Sequence, residues 1–191
     1  MPKTLDEATF LARLSAFTAK PSPGEALALA AEADGRALPA LVKAMNDMME
    51  GPDVVRYREA VRELATVPVL TTFLAGDAPL RHVAAHALSG RNPEHAALIG
   101  QCLDDADDQV RAIARRALRA WTNSPQIHDL FLKALRHADA RVRLLAAEGL
   151  GKLGTAADLG PLQTALEHEQ DDKARDRIAW ALEKLENQSD A

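Results

Sequence analysis

His82 and His86 stand four residues apart, the spacing that places two imidazoles on one face of a helix and lets them share a zinc ion. A protein zinc site needs a third ligand, and the remaining histidines, His95, His128, His137 and His168, fall on other stretches of the chain. The pair therefore reads as part of a polar surface, and no metal is expected. Gly149-Leu150-Gly151-Lys152-Leu153-Gly154 fits GxGxxG letter for letter. It ends a helical stretch rather than following a strand, so a phosphate-cradling turn is not expected there. Cys102 is the only cysteine, which excludes an intrachain disulfide. No nucleophile elbow, Walker A loop or metalloprotease motif occurs, so neither catalytic residues nor a cofactor are expected. What remains is a concentration of arginine: Arg111, Arg115, Arg116 and Arg119 on one stretch, then Arg136, Arg141 and Arg143. Guanidinium groups suit carboxylates and phosphates. Here they are interleaved with Asp104, Asp105, Asp107, Asp108, Glu148, Asp176 and Glu183. Mixed signs of this kind usually mean a solvated, ion-paired face.

The elements that must position these residues recur. Leu80-Arg81-His82-Val83-Ala84-Ala85-His86-Ala87-Leu88 is echoed by Val110–Leu118, Val142–Leu150 and Ala174–Leu182. Each copy has an apolar residue before an arginine (Arg81, Arg111, Arg143, Arg175), small or apolar residues at offsets 3 and 6, and leucine at offset 7. A fixed period of about 30 residues is the mark of a solenoid, and the apolar spacing within each copy is helical. Asp77, Asp107 or Asp108, Asp139, and Asp171 or Asp172 precede the arginines by three or four positions, where a carboxylate can accept the free amides of a first helical turn. A second helical stretch lies between copies: Pro93 to Asp104, Pro125 to His137 and Thr155 to Glu167. Proline suits a first turn, and Gly90, Asn123 and Gly154 punctuate helix ends. The unit is helix A, turn, helix B, turn.

Residues 1–65 are less regular and read as a divergent start and cap of the same array, with 66–191 as the regular part. Leu5, Phe10, Leu11, Leu14 and Phe17 form a helical face. Pro21-Ser22-Pro23-Gly24 breaks it, and helices at about 24–34, 36–50, 53–65 and 68–75 follow. In the last copy, offset 2 is Arg177 rather than Val83, Ile113 or Leu145, as suits a polar terminal cap. Trp121, three positions past Leu118, belongs to the core.

Ala and Leu dominate and β-branched residues are scarce, so a large sheet is not expected. A net charge of -5 argues against a duplex-DNA binder. No apolar run is long enough to span a bilayer. The first residues lack the basic and apolar regions of a signal peptide, and a cytoplasmic protein is the expectation.

Asp107-Asp108-Gln109-Val110-Arg111-Ala112-Ile113-Ala114 and Asp139-Ala140-Arg141-Val142-Arg143-Leu144-Leu145-Ala146 carry an Asp-x-x-Val-Arg-x-x-Ala pattern. It resembles the HEAT-like repeats of the phycobilisome-lyase type. The resemblance extends over about residues 77–185 and implies an all-α superhelix of antiparallel helix pairs. It also implies that helix B lines the surface on which partners dock. A structural ladder follows from it, in which Arg81, Arg111, Arg143 and Arg175 pair with Asp77, Asp108, Asp139 and Asp172 across repeats. Deoxyhypusine hydroxylases share the repeat class and use recurring His-Glu pairs as iron ligands, but only His168-Glu169 matches here.

Helix B offsets that should escape burial supply His82, His86 and Ser89, then Arg115, Arg116 and Arg119, then Leu144 and Glu148, then Asp176, Trp180 and Glu183. Trp180 and Leu144 are out of character for solvent, and offset 1 of one repeat would lie beside offset 5 of the next. The expected site is a partner-binding surface with Trp180 and Leu144 as apolar anchors, Arg115, Arg116 and Arg119 at the rim, and Glu148, His82 and His86 nearby. The alternative for Trp180 is a lid over the terminal repeat. The leading expectation is a monomeric or hetero-complexed scaffold or adaptor that binds another protein. A phycobilin-lyase-like or other enzyme subunit and a nucleic-acid binder with an arginine groove are the alternatives.

Overall fold

The protein is described by a computed structural model, which covers residues 6–32, 35–47, 52–88, 93–122 and 124–189. Ser89, expected on the helix B surface, Gly90 and Asn123, expected at helix ends, and Leu5 on the first helical face lie outside these residues. Among the described residues every regular element is helical, so the all-α expectation holds. The chain divides into two compact units, 1–90 and 91–191.

In the first unit, α1 (Glu7–Ala19), α2 (Pro23–Glu32), α3 (Leu38–Asp47), α4 (Pro52–Leu64), α5 (Val67–Leu74) and α6 (Ala78–Ala87) follow one another closely. Asp6 starts α1 by accepting the Thr9 amide at 3.0 Å. After the Pro21 break, the Ser22 hydroxyl accepts the Glu25 amide at 3.3 Å and restarts the helix. Helix α4 packs against α2 and α3, and α6 packs against α5 and α3. Phe10, Phe17, Leu29, Leu38, Leu41 and Tyr57 are buried between them. Gly35 turns the chain into α3 with φ at +93°, and a Cβ there would sit 2.8 Å from a Val69 methyl. Only glycine meets both conditions without strain.

The second unit is three A–B pairs: α7 (Ala96–Leu103) with α8 (Asp108–Ala120), α9 (His128–Ala134) with α10 (Ala140–Leu153), and α11 (Leu159–His168) with α12 (Asp172–Ser189). Each A helix is led in by one tight 3₁₀ turn, at Pro93–His95, Pro125–Ile127 and Ala156–Asp158. The B helices α8, α10 and α12 pack successively on one another, as α7 does on α9. The three sequence copies in this unit therefore occupy corresponding places in adjacent layers. Small residues permit the close approach, since Ala114, Ala146, Ala147, Ala174 and Ala181 are buried at the seams. Trp121, Phe131, Leu118, Leu150, Ile178 and Leu185 fill the spine. Full burial of such side chains contributes roughly 1.5–3 kcal/mol each. A polar tie links repeats as well: His128 Nε2 lies 3.0 Å from Oδ2 of the buried Asp158. That carboxylate also accepts the Thr155 amide. Among the described residues no helix is long and apolar enough to cross a membrane.

Candidate functional site

The B helices begin where the aspartates stand. Asp77 accepts the Leu80 amide, Asp107 the amides of Gln109 and Val110, Asp139 that of Arg141, and Asp171 that of Ala174. Where the sequence offered two adjacent aspartates, the first is the cap. Asp108 and Asp172, assigned above to the ladder, are instead the first residues inside α8 and α12. An N-cap carboxylate must precede the helix to reach its free amides.

The recurrent arginines reach backwards. Arg81 donates to the Gly76 carbonyl, Arg111 to that of Asp105, Arg143 to those of His137 and Ala138, and Arg175 to that of Glu169. Each guanidinium bridges the A–B turn ahead of its own helix, where carbonyls lack helical partners. Arg111 also pairs with Asp108 on its own helix. Arg143 does cross to the next repeat, but its partner is Glu169 rather than the expected Asp172. Nε and Nη2 of Arg143 each lie 2.6 Å from a carboxylate oxygen of Glu169. Glu169 is buried and also accepts the amides of Gln170 and Asp171. The Arg143 hydrogen bonds, aided by these amides, hold its carboxyl down at about 2.

One capping aspartate does bridge repeats, through an arginine expected at the binding surface. Arg115 of α8 donates to Asp139 at 3.1 Å, while Arg141 also binds Asp139 through Nε and Nη2. The Arg141 hydrogen bond holds the Asp139 carboxyl below its ordinary value. Burial, then the nearby Arg141 charge, lowers the Arg115 guanidinium without discharging it. Arg115 is thus tied down within the fold.

Between α8 and α10 lies a cleft of about 410 Å³ lined by Ala112, Arg115, Arg116, Arg119, Arg141, Leu144 and Leu145. The structure brings together Arg115, Arg116, Arg119 and Leu144 from the expected surface. Arg116 and Arg119 are exposed, and among the described residues neither forms an ion pair or side-chain hydrogen bond. Leu144, half-buried, is part of the apolar floor. Glu148 is half-buried and held by Lys152 at 2.7 Å. Lys152 also donates to Thr122 of the preceding repeat at 3.2 Å.

Trp180 does not join this cleft. Its ring is half-buried and seated on Gly151, where a Cβ would run into Cζ3. Arg177 and Lys184 each stand 5.2 Å from the ring centroid. Gly151 is seven residues beyond Leu144, about 10 Å along the helix, so the two apolar anchors expected side by side are apart. On the other flank of α10, Gly149 leaves room for Phe131, whose ring would be 2.5 Å from an added Cβ. The glycines of the GxGxxG match are thus two ring seats and a helix end. His82 and His86 are half-buried on α6, in the other unit. Among the described residues no three His, Cys, Asp or Glu side chains are grouped to hold a metal.

A larger groove of about 880 Å³, which no sequence motif marked, opens between α9 and α11. Its walls hold Leu132, Leu135, Pro161 and Ala165 together with Lys133, Arg136 and the Arg143–Glu169 clamp.

The stacked pairs, the aspartate caps and the arginines over the turns agree with the family that matches residues 96–183, described as HEAT repeats. The HEAT-repeat match thus covers the three helix pairs of the second unit. No curated protein sequence matches the chain. Among solved structures, the chain is similar to an engineered protein of the Northeast Structural Genomics Consortium, at 19% identity and a TM-score of 0.46, covering 94% of this chain and 97% of that one. It is also similar to a designed armadillo repeat protein, at 17% identity and a TM-score of 0.46, covering 95% of each. A further engineered protein of the same consortium is 18% identical, with a TM-score of 0.43, covering 96% of this chain and all of that one.

Proposed function

We propose that the protein is a scaffold or adaptor that binds a partner protein through its B-helix surface, at the cleft between α8 and α10. The observation that carries this reading is the pair Arg116 and Arg119, exposed and unneutralised beside the apolar floor of Leu144 and Leu145. Asp139 engages both Arg115 and Arg141 within the fold, which leaves the Arg116 and Arg119 guanidinium forks for an incoming ligand. A partner segment with a carboxylate and an adjacent apolar side chain complements this arrangement. Recognition rests on a template that is already formed, so little ordering entropy opposes binding. The Asp-x-x-Val-Arg pattern favours the phycobilisome-lyase type of repeat, and a cytoplasmic setting fits the single buried cysteine.

The test is capture of partners from a lysate with wild-type protein and with Arg116→Glu/Arg119→Glu. Charge reversal at exposed positions leaves the circular dichroism spectrum intact and removes the specific partner. Retention of that partner by the double variant rejects the site. A gel shift whose affinity falls steeply with salt would instead mark a nucleic-acid ligand.

A further inference from the structure

We propose that the groove between α9 and α11 is a binding site for a small amphipathic anion, of the class of a medium-chain aliphatic carboxylate. It lies mainly between two A helices and shares no lining residue with the α8–α10 cleft. Its volume, about 880 Å³, falls within the range of roughly 300–1,000 Å³ usual for small-molecule sites. Leu132 and Leu135 from the last turn of α9 face Pro161 and Ala165 of α11 across an apolar floor.

The ligand's charge follows from what the lining has left over. Its single carboxylate is Glu169, and both oxygens of that group are taken by Arg143 and by the Gln170 and Asp171 amides. The clamp is closed on itself and contributes no net charge. Of the two lining histidines, His137 accepts the Asp139 amide through Nδ1 at 2.9 Å, and His168 Nδ1 lies 2.8 Å from the Thr164 carbonyl. Lys133 and Arg136 remain. Lys133 lies in the last turn of α9 and Arg136 in the turn just past its end; both are exposed and have no ion pair or side-chain hydrogen bond among the described residues. Two cations beside an apolar trough, with no free acid, complement a ligand with an anionic head and an aliphatic body.

Helix length sets the size class. Helix α9 has seven residues and is therefore about 10 Å long. That accommodates a short alkyl chain and is too little to seat a multi-turn peptide helix.

The experiment titrates octanoate into the full chain by isothermal calorimetry, with acetate and octanol as the ligands lacking tail and charge. Amide shifts in two-dimensional NMR report the location. Saturable one-site binding of octanoate is expected, with shifts confined to α9 and α11. Acetate and octanol bind more weakly. Lys133→Gln/Arg136→Gln lowers the affinity about tenfold or more, the loss expected when charge-assisted hydrogen bonds go. Ala165→Trp fills the trough and abolishes binding. If Ala165→Trp fails to fold, the exposed Lys133/Arg136 variant and the NMR location decide. Absence of saturable binding, octanol binding as tightly as octanoate, an unchanged affinity in the charge variant, or shifts centred elsewhere would each overturn the proposal.

Discussion

Glu169→Gln tests whether the inter-repeat clamp stabilises the last two repeats. The substitution keeps the size of the side chain and removes the charge that Arg143 grips with two 2.6 Å bonds. The carboxyl is held at about 2, against 4.5 for an unperturbed glutamate. That gap corresponds to about 3 kcal/mol of preference for the ionised form in the folded chain. Because the folded value is depressed, the contribution is whole above pH 4.5 and is lost as pH falls toward 2. It should be roughly half its full size near pH 3. Urea unfolding followed at 222 nm should therefore show a deficit of about 3 kcal/mol for Glu169→Gln at pH 7. The difference from wild type should close steadily on acidification below pH 4.5. Arg143→Leu removes the same pair, so the double variant should lose well under the sum of the singles. A deficit below about 1 kcal/mol at pH 7, one that does not shrink with acid, or strict additivity would refute the reasoning.

Asp139→Ala removes a cap and the Arg115 bridge together and should cost about 2 kcal/mol, whereas Asp172→Ala, outside the capping position, should stay within about 0.5 kcal/mol; paired urea titrations check both. Gly151→Ala should displace the Trp180 ring, with a net loss of about 1–2 kcal/mol after the gain in helix propensity. A shifted Trp180 emission maximum should accompany it in a Trp121→Phe background, and Trp180→Ala should relieve the clash. Burial pushes the Cys102 thiol up to about 12. At pH 8 it should react with a disulfide reagent only after urea unfolding, and rapid native labelling would place it at the surface.

The parts of this fold that depend on spacing within one helix were legible in the sequence. Apolar residues at offsets 3, 6 and 7 gave the buried faces of α8, α10 and α12, and the aspartates ahead of them gave the starts. Both are properties of 3.6 residues per turn and of four free amides, and neither requires knowledge of a neighbour. The choice between adjacent aspartates was a matter of one residue, and only backbone geometry decides it. Partnership between repeats was a different matter. Arg115, Arg116 and Arg119 look alike in the sequence, yet Asp139, 24 residues on, captures the first and leaves the others exposed. The partner of Arg143 was hidden because the corresponding turn position is Asp105, then His137, then Glu169, and so shows no repeated letter. Trp180 is settled by the missing side chain of Gly151 in the layer before it. The α9–α11 groove exists because Pro161 and Ala165 are short and their neighbours do not close over them. Sequence thus determined the helices, their order and their buried faces, since those follow from local periodicity. Tertiary structure decided which charges are neutralised and where space remains, since both depend on side chains brought together from residues about 24–30 positions apart.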